Sequence, residues 1–236
     1  MYDDGGLIPR GPSGGNYTYV MTGAATTPFI TSAYLKGIKG FDINKAYEGM
    51  RKDHFPGGMM SKAGYEHTTF KGGGIEEYMD LGYVPFPLTP IKYGFHQDGA
   101  AQTLEYAYQD YALAQMAKVL NKKQDYDLFS GRANNYKNLF NKEIGWMWSK
   151  NKKGEWNQPI DILDYEKGWV EGNAAQYTWF VPHDVPGLIN LMGGNDAFTT
   201  KLNESFTKAR VHNFVSGKSE NPVDQKLIRR VYINYG

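Results

Sequence analysis

Between Ala100 and Leu120, the residues Leu104, Ala107, Tyr108, Tyr111 and Ala114 recur at intervals of three and four. That spacing gathers them on one side of an α-helix, and a run this long commits the chain to a helical core. A second run follows directly. Tyr126, Phe129, Ala133, Tyr136 and Phe140 predict a helix over Gln124–Phe140, and two long helices with a short link form a helical hairpin. Upstream, Thr27-Pro28 has the form of an N-cap followed by proline at the first helical position. Phe29, Ile30, Ala33, Tyr34 and Ile38 then recur at helical spacing, with Gly37 as a stop. Asp42 or Asn44 caps a predicted helix over Ile43–Asp53. Further helices are predicted at Ile75–Leu81, Asn173–Phe180, Val185–Met192 and Asn195–Phe206. No period-two alternation is long enough for a sheet core. The predicted fold class is mainly α, in hairpins joined by loops that grow long on one side, with little strand. That suits part of an α/α toroid, a six-hairpin (α/α) barrel.

Three stretches follow along the chain. Residues 1–25, with Gly5, Gly6, Pro9, Gly11, Pro12, Gly14 and Gly15, read as an extended lead-in. Residues 26–206 hold the hairpins and loops, and 207–236 read as an irregular tail. Within the middle stretch, 54–99 is loop-like, and a long loop inside a compact domain is often functional. Trp146–Asn157 reads as a small β-hairpin around Lys153-Gly154. Gly72-Gly73-Gly74 lacks the Lys-Ser/Thr of a phosphate loop and reads as a flexible turn.

Composition removes several function classes. The 236 residues carry a formal net charge of +1, so no strong field recruits nucleic acid or anionic lipid. Hydrophobic residues at 41% and charged residues at 22% suit a packed globular chain. With no cysteine there are no disulfides, thiolate zinc sites or cysteine nucleophiles. No apolar run approaches the roughly 20 residues of a membrane span. The first residues have neither a basic n-region nor an apolar h-region, so they are not a signal peptide. Aromatic residues reach 15%, with 18 Tyr and 5 Trp, a content that serves either a core or a surface that stacks on sugar rings.

The densest chemistry lies in Trp169-Val170-Glu171-Gly172-Asn173, through Gln176-Tyr177-Thr178-Trp179, to Val181-Pro182-His183-Asp184. Here a carboxylate stands at a loop-to-helix junction that Asn173 or Gly172 can cap. Apolar neighbours would raise the pKa of Glu171 and suit a general acid, whereas a helix N-terminus favours its anion. Equally, Glu171 reads as a first-turn charge and His183-Asp184 as a turn cap. Glu105 and Asp110 are either lining residues or solvated charges. His54, His67 and His96 are too scattered to identify a metal site. Asn16-Tyr17-Thr18 and Asn203-Glu204-Ser205 match the short glycosylation pattern.

The segment Trp169–Asp184 resembles glycoside hydrolase family 92 in its Glu-Gly-Asn, Gln-Tyr-Thr-Trp and Val-Pro-His-Asp blocks. Further blocks follow the family's order: Tyr34-Leu35-Lys36-Gly37-Ile38 with Phe41-Asp42, Gly82-Tyr83-Val84-Pro85, Thr103–Tyr108 with Asp110, and Arg132 with Asn135-Tyr136. The resemblance implies a calcium-dependent, inverting exo-α-mannosidase of α-1,2 or related linkages, with a mannose-containing glycan as partner. It also implies Glu171 as general acid and Trp169, Asn173, Gln176, Tyr177, His183, Asp184 and Tyr83 as substrate-binding residues. The metal ligands are unknown. The family's base is an Asp in a Gly-Asn-Asp motif near the domain's C-terminal end, and it is expected outside this chain, as is the N-terminal β-sandwich. Ser32 stands where many members carry Asp. The chain alone is therefore expected to be inactive and to self-associate through a truncated helical surface. The parent is expected in the periplasm, at the cell surface or secreted. A non-catalytic carbohydrate-binding relative of the same fold is the alternative.

Overall fold

The computed structural model describes residues 2–11, 17, 19, 21–62, 72–88, 98–164 and 167–211, with the side chains of 209–211 left out. His67, His96, Asn16, Thr18 and the tail from 212 onward lie outside the described residues.

The fold is mostly helical. α1 (Tyr2–Gly5) is a single turn where an extended lead-in is predicted. α2 (Thr26–Leu35) and α3 (Ile43–Asp53) follow, and the Asp42 carboxylate accepts the Lys45 N–H to cap α3 as predicted. α4 (Ile75–Leu81) has the predicted bounds and is flanked by two left-handed glycines, Gly74 and Gly82. α5 (Gly99–Val119) and α6 (Lys123–Arg132) form the predicted hairpin. A short antiparallel pair comes next, β1 (Phe140–Asn141) with β2 (Trp146–Met147), in the register Phe140 to Met147. Beyond it, a Lys150–Trp156 bridge closes the predicted turn at Lys153-Gly154. α7 (Ala174–Tyr177), α8 (Val185–Leu191) and α9 (Asn195–Val211) complete the described chain. α9 carries helix through residues 207–211, where irregular structure is predicted.

Two predicted elements differ for identifiable reasons. α6 stops at Arg132 instead of running to Phe140, and a 3-10 turn occupies Asn135–Leu139. The carbonyls that would continue the ladder are taken from outside. Arg132 O accepts the Tyr78 hydroxyl at 3.0 Å, and Ala133 O accepts His183 Nε2–H at 3.0 Å. The face of α2 is also shifted: Ile30 and Tyr34 pack against the core that holds Met50 and Phe129, as the spacing predicts, but Phe29 does not join them. Phe29 is 73% exposed, while Thr27 and Thr31 are 1% and 3% exposed. Thr27 faces inward because its hydroxyl reaches His54 Nε2 at 3.1 Å.

α5 is the axis of the fold and is buried around most of its circumference, as a helix without a solvated face must be. Ala100, Ala101, Leu104 and Ala107 join a first core with Trp148, Trp169 and Leu188. Tyr106 enters a second core with Met59, Met60, Ile75 and Tyr78. Leu113, Ala114, Met116 and Ala117 enter a third with Tyr47, Met50 and Phe129. Before the exposed Lys118 and Val119 at its end, the residues left open on α5 are Glu105, Tyr108, Tyr111 and Gln115, a stripe at helical spacing.

The glycine run at 72–74 is locked, contrary to the flexible turn predicted. A side chain on Gly73 would stand 1.8 Å from Met60 O, so only glycine permits this crossing. Gln102 Nε2 then donates to Gly73 O at 2.9 Å. Asp110 is likewise no solvated charge. It accepts His54 Nδ1–H at 2.8 Å, Arg132 Nε–H at 2.9 Å and the Tyr78 hydroxyl at 3.0 Å, in a fully enclosed network. Burial lowers the His54 pKa against the pull of Asp110, so the ring is neutral and its Nε2 accepts from Thr27.

Candidate active site

The segment Gly168–Asp184 is built around one indole. Trp169 is buried, and Tyr177 stacks on it with ring centroids 5.4 Å apart. From that position the Tyr177 hydroxyl donates to Val170 O at 2.7 Å. Asn173 caps α7 as predicted. Its side chain accepts Gln176 N–H at 3.1 Å, and Gln176 Oε1 accepts Asn173 N–H at 3.2 Å, a reciprocal capping box. These ties hold residues on both sides of Glu171.

Glu171 itself is exposed, with φ of 47°. A non-glycine residue in the left-handed region costs about 1–2 kcal/mol and persists only where its surroundings impose it. The next position has no room for a side chain, because a Cβ on Gly172 would lie 2.7 Å from Gln176 Oε1 and 3.0 Å from the Tyr177 ring. The carboxylate is thus presented to solvent on a fixed arch. It does not sit among the apolar neighbours that its sequence context suggests.

The other predicted residues divide by what they touch. Trp169, Asn173, Gln176 and Tyr177 come together as the scaffold of this arch, with Trp169 and Asn173 fully buried. His183 packs among Tyr108, Tyr111 and Tyr136, with ring centroids 6.1, 5.6 and 5.5 Å away. Its Nε2 is committed to Ala133 O, its Nδ1 is enclosed without a hydrogen-bond partner among the described residues, and burial lowers its pKa. Asp184 caps α8 through Gly187 N–H at 2.9 Å and accepts the Tyr136 hydroxyl at 2.6 Å. Burial pushes this carboxyl up, but those two donors and Lys137 outweigh it, and its pKa lies below the usual value. Tyr83 shares the core that holds Trp169, and its hydroxyl donates to Asn151 O at 2.9 Å in the hairpin turn.

Glu105 is a carboxyl whose part in the site the sequence leaves open. It lies on the partly open stripe of α5, and Gln109 Nε2 donates to it at 3.1 Å. Gln109 is itself fixed by Ala24 N–H, which donates to its Oε1 at 2.7 Å. Burial raises the Glu105 pKa and the Gln109 bond pulls it partly back, which leaves it at about 7. The signal in the sequence is Glu105 and Tyr108 at i, i+3 on the strongest helix. A Gly-Asn-Asp string expected only outside the chain also occurs within it, at Gly194-Asn195-Asp196. There it opens α9, with Asp196 exposed in the first turn, where the helix N-terminus favours a negative charge.

Among the described residues, no three His, Cys, Asp or Glu side chains come together to hold a metal ion. No helix among them is long and apolar enough to cross a membrane.

The sequence profile of the glycosyl hydrolase family 92 catalytic domain matches residues 1–232. The solved family GH92 inverting mannosidase of Bacteroides thetaiotaomicron VPI-5482 is similar at 33% identity and a TM-score of 0.75, over 86% of this chain and 26% of that one. A family GH92 alpha-mannosidase from Bacteroides thetaiotaomicron is similar at 35% identity and a TM-score of 0.72, over 87% of this chain and 25% of that one. It has also been solved in complex with mannoimidazole. An uncharacterized secreted glycosidase of Arthroderma benhamiae (strain ATCC MYA-4681 / CBS 112371) is 26% identical over 210 residues, 78% of this chain and 26% of that protein. The chain thus spans about a quarter of the length of these relatives.

Proposed function

The chain belongs to glycosyl hydrolase family 92, and from that membership we propose that it forms part of the toroidal catalytic domain of an inverting exo-α-mannosidase. The substrates are mannose-containing glycans with α-1,2 or related linkages. Glu171 is the general acid, giving its proton to the departing sugar oxygen while a base activates water on the opposite face of the ring. The observation that carries this reading is the arch. A solvent-facing carboxylate is held in a left-handed backbone conformation by Tyr177, Asn173 and Gln176. Strain of this kind collects where a side chain must point in one direction for function.

The base lies outside the described residues in this proposal, which makes the chain alone inactive and leaves Asp196 as a helix-start charge. Calcium dependence belongs to the proposal through the family resemblance. No three His, Cys, Asp or Glu side chains converge among the described residues, and no step is assigned to the ion. A secreted relative supports an extracytoplasmic location for the full-length protein.

The test is hydrolysis by a full-length protein carrying this chain. Glu171→Gln keeps the shape but cannot donate a proton. Turnover of a mannobiose should fall by about 10²–10⁴-fold. An aryl mannoside with an acidic phenol needs little protonation and should lose far less. Equal losses on both substrates remove Glu171 from the mechanism. Asp196→Asn should leave turnover within a few-fold; a collapse there would make Asp196 the base. Calcium-dependent mannose release by the 236-residue chain alone, above a Glu171→Ala control, would overturn the placement of the base.

A further inference from the structure

A second carboxyl lies on the helix that Glu171's segment crosses. Ala101, Glu105 and Tyr108 share one face of α5 by their spacing of four and three. The two residues flanking Glu105 on that face both meet the Gly168–Asp184 segment. Ala101 N–H donates to Gly168 O at 2.9 Å, three residues before Glu171. The Tyr108 ring meets Phe180 edge-on at 5.9 Å and His183 at 6.1 Å. Glu105 therefore stands between the two contacts, on the side of α5 that the arch spans.

Its surroundings suit a ligand better than a structural ion pair. Gln109 is the polar group that reaches the carboxyl among the described residues, and it does so from a fixed position set by Ala24. The aromatic face of Tyr108 lies one turn along the same stripe. A carboxyl beside an aromatic ring is the pairing that sugars call for, hydroxyls on one side and a C–H face on the other. Burial, net of the Gln109 bond, leaves the carboxyl at about 7, able both to donate and to accept near neutral pH.

We propose that Glu105 is a sugar-binding residue beside the Gly168–Asp184 segment, gripping hydroxyls of a monosaccharide unit packed on Tyr108, with Gln109 as its positioning residue. This rests on the mannosidase reading above. Glu105 takes no proton in the bond cleavage; its role is affinity and orientation.

The test is an NMR titration of the 236-residue chain with methyl α-mannoside. Glu105→Ala should weaken binding by tenfold or more, and Glu105→Gln, which keeps the hydrogen-bonding shape, should recover most of it. Gln109→Ala should weaken binding by a smaller factor. In the unaltered chain the Glu105 carboxyl ¹³C resonance should move as the sugar saturates, which covers the case of an alanine variant that fails to fold. Saturable binding with an unmoved Glu105 resonance, or an affinity unchanged in Glu105→Ala, overturns the role of Glu105 and leaves the mannosidase reading standing. No saturable binding by the unaltered chain overturns the role of Glu105, while the mannosidase reading is judged by turnover in the full-length protein.

Discussion

The hydroxyl of Tyr177 reaches back seven residues to the carbonyl of Val170 at 2.7 Å, while its ring lies on Trp169. This one side chain closes the arch at its base. Tyr177→Phe should keep the stack and lose the tie. A hydrogen bond of this kind contributes about 0.5–1.5 kcal/mol net, so urea unfolding should show a loss of that size. Amide exchange at Glu171 and Gly172 should accelerate beyond what the global change explains. Unchanged exchange there would mean that the capping box alone holds the arch.

Glu171→Gly separates stability from function. Glycine adopts φ of 47° without the Cβ penalty. The variant should therefore be more stable by about 1 kcal/mol in thermal melts, and a full-length protein carrying it should lose turnover of mannobiose. A lower melting temperature would show that the Glu171 side chain itself supports the loop.

Asp110 neutralises Arg132 inside the core, where both are enclosed. Asp110→Ala leaves a buried guanidinium without its countercharge and His54 Nδ1–H without its acceptor. The expected cost is about 3–5 kcal/mol by denaturant unfolding. A double variant, Asp110→Leu with Arg132→Met, should cost clearly less than the sum of the single changes, because the two residues form one unit.

Asp53 makes stability fall as pH rises. Burial lifts its pKa from 3.8 to about 8, despite backbone donors from Met59 and Ile8 and the nearby Arg10. Between those values the folded chain holds a proton that the unfolded chain has released, so the group's contribution is complete at the acid end and is lost as pH climbs toward 8. Buried His54 acts in the opposite sense below its ordinary value. Comparing Asp53→Asn with the unaltered chain cancels that contribution. The variant's advantage in melting temperature should be small near pH 4, grow toward pH 8 and then level off. A constant difference would place the Asp53 titration elsewhere.

Where the sequence was legible, one local signal was enough. The caps at Asp42 and Asn173, the bounds of α4 and the hairpin turn at Gly154 each rest on residues within a few positions. The misreadings have a distant partner in common. α6 ends early because Tyr78 and His183 take its carbonyls, and Thr27 turns inward because His54 waits 27 residues away. Asp110, open in the sequence between a lining residue and a solvated charge, is decided by Arg132 and Tyr78, which close over it. In the candidate site, the motif points to Glu171 but does not show what its neighbours do. Asn173, Gln176 and Tyr177 are written side by side with it and act chiefly on the backbone that carries it. Glu105 lies 66 positions earlier, and only the packing of α5 brings it to the same segment.

α5 contributes side chains to all three cores, and this governs how the molecule opens. A fluctuation that frees any one core must also disturb the helix on which the other two rest, so partial openings are costly. Amides from Leu104 to Met116 should then exchange with deuterium at a single slow rate, set by complete unfolding. The exposed turn around Lys153-Gly154 should exchange orders of magnitude faster, on its own. A protease would cut that turn long before α5, and the cut chain would still hold together around α5.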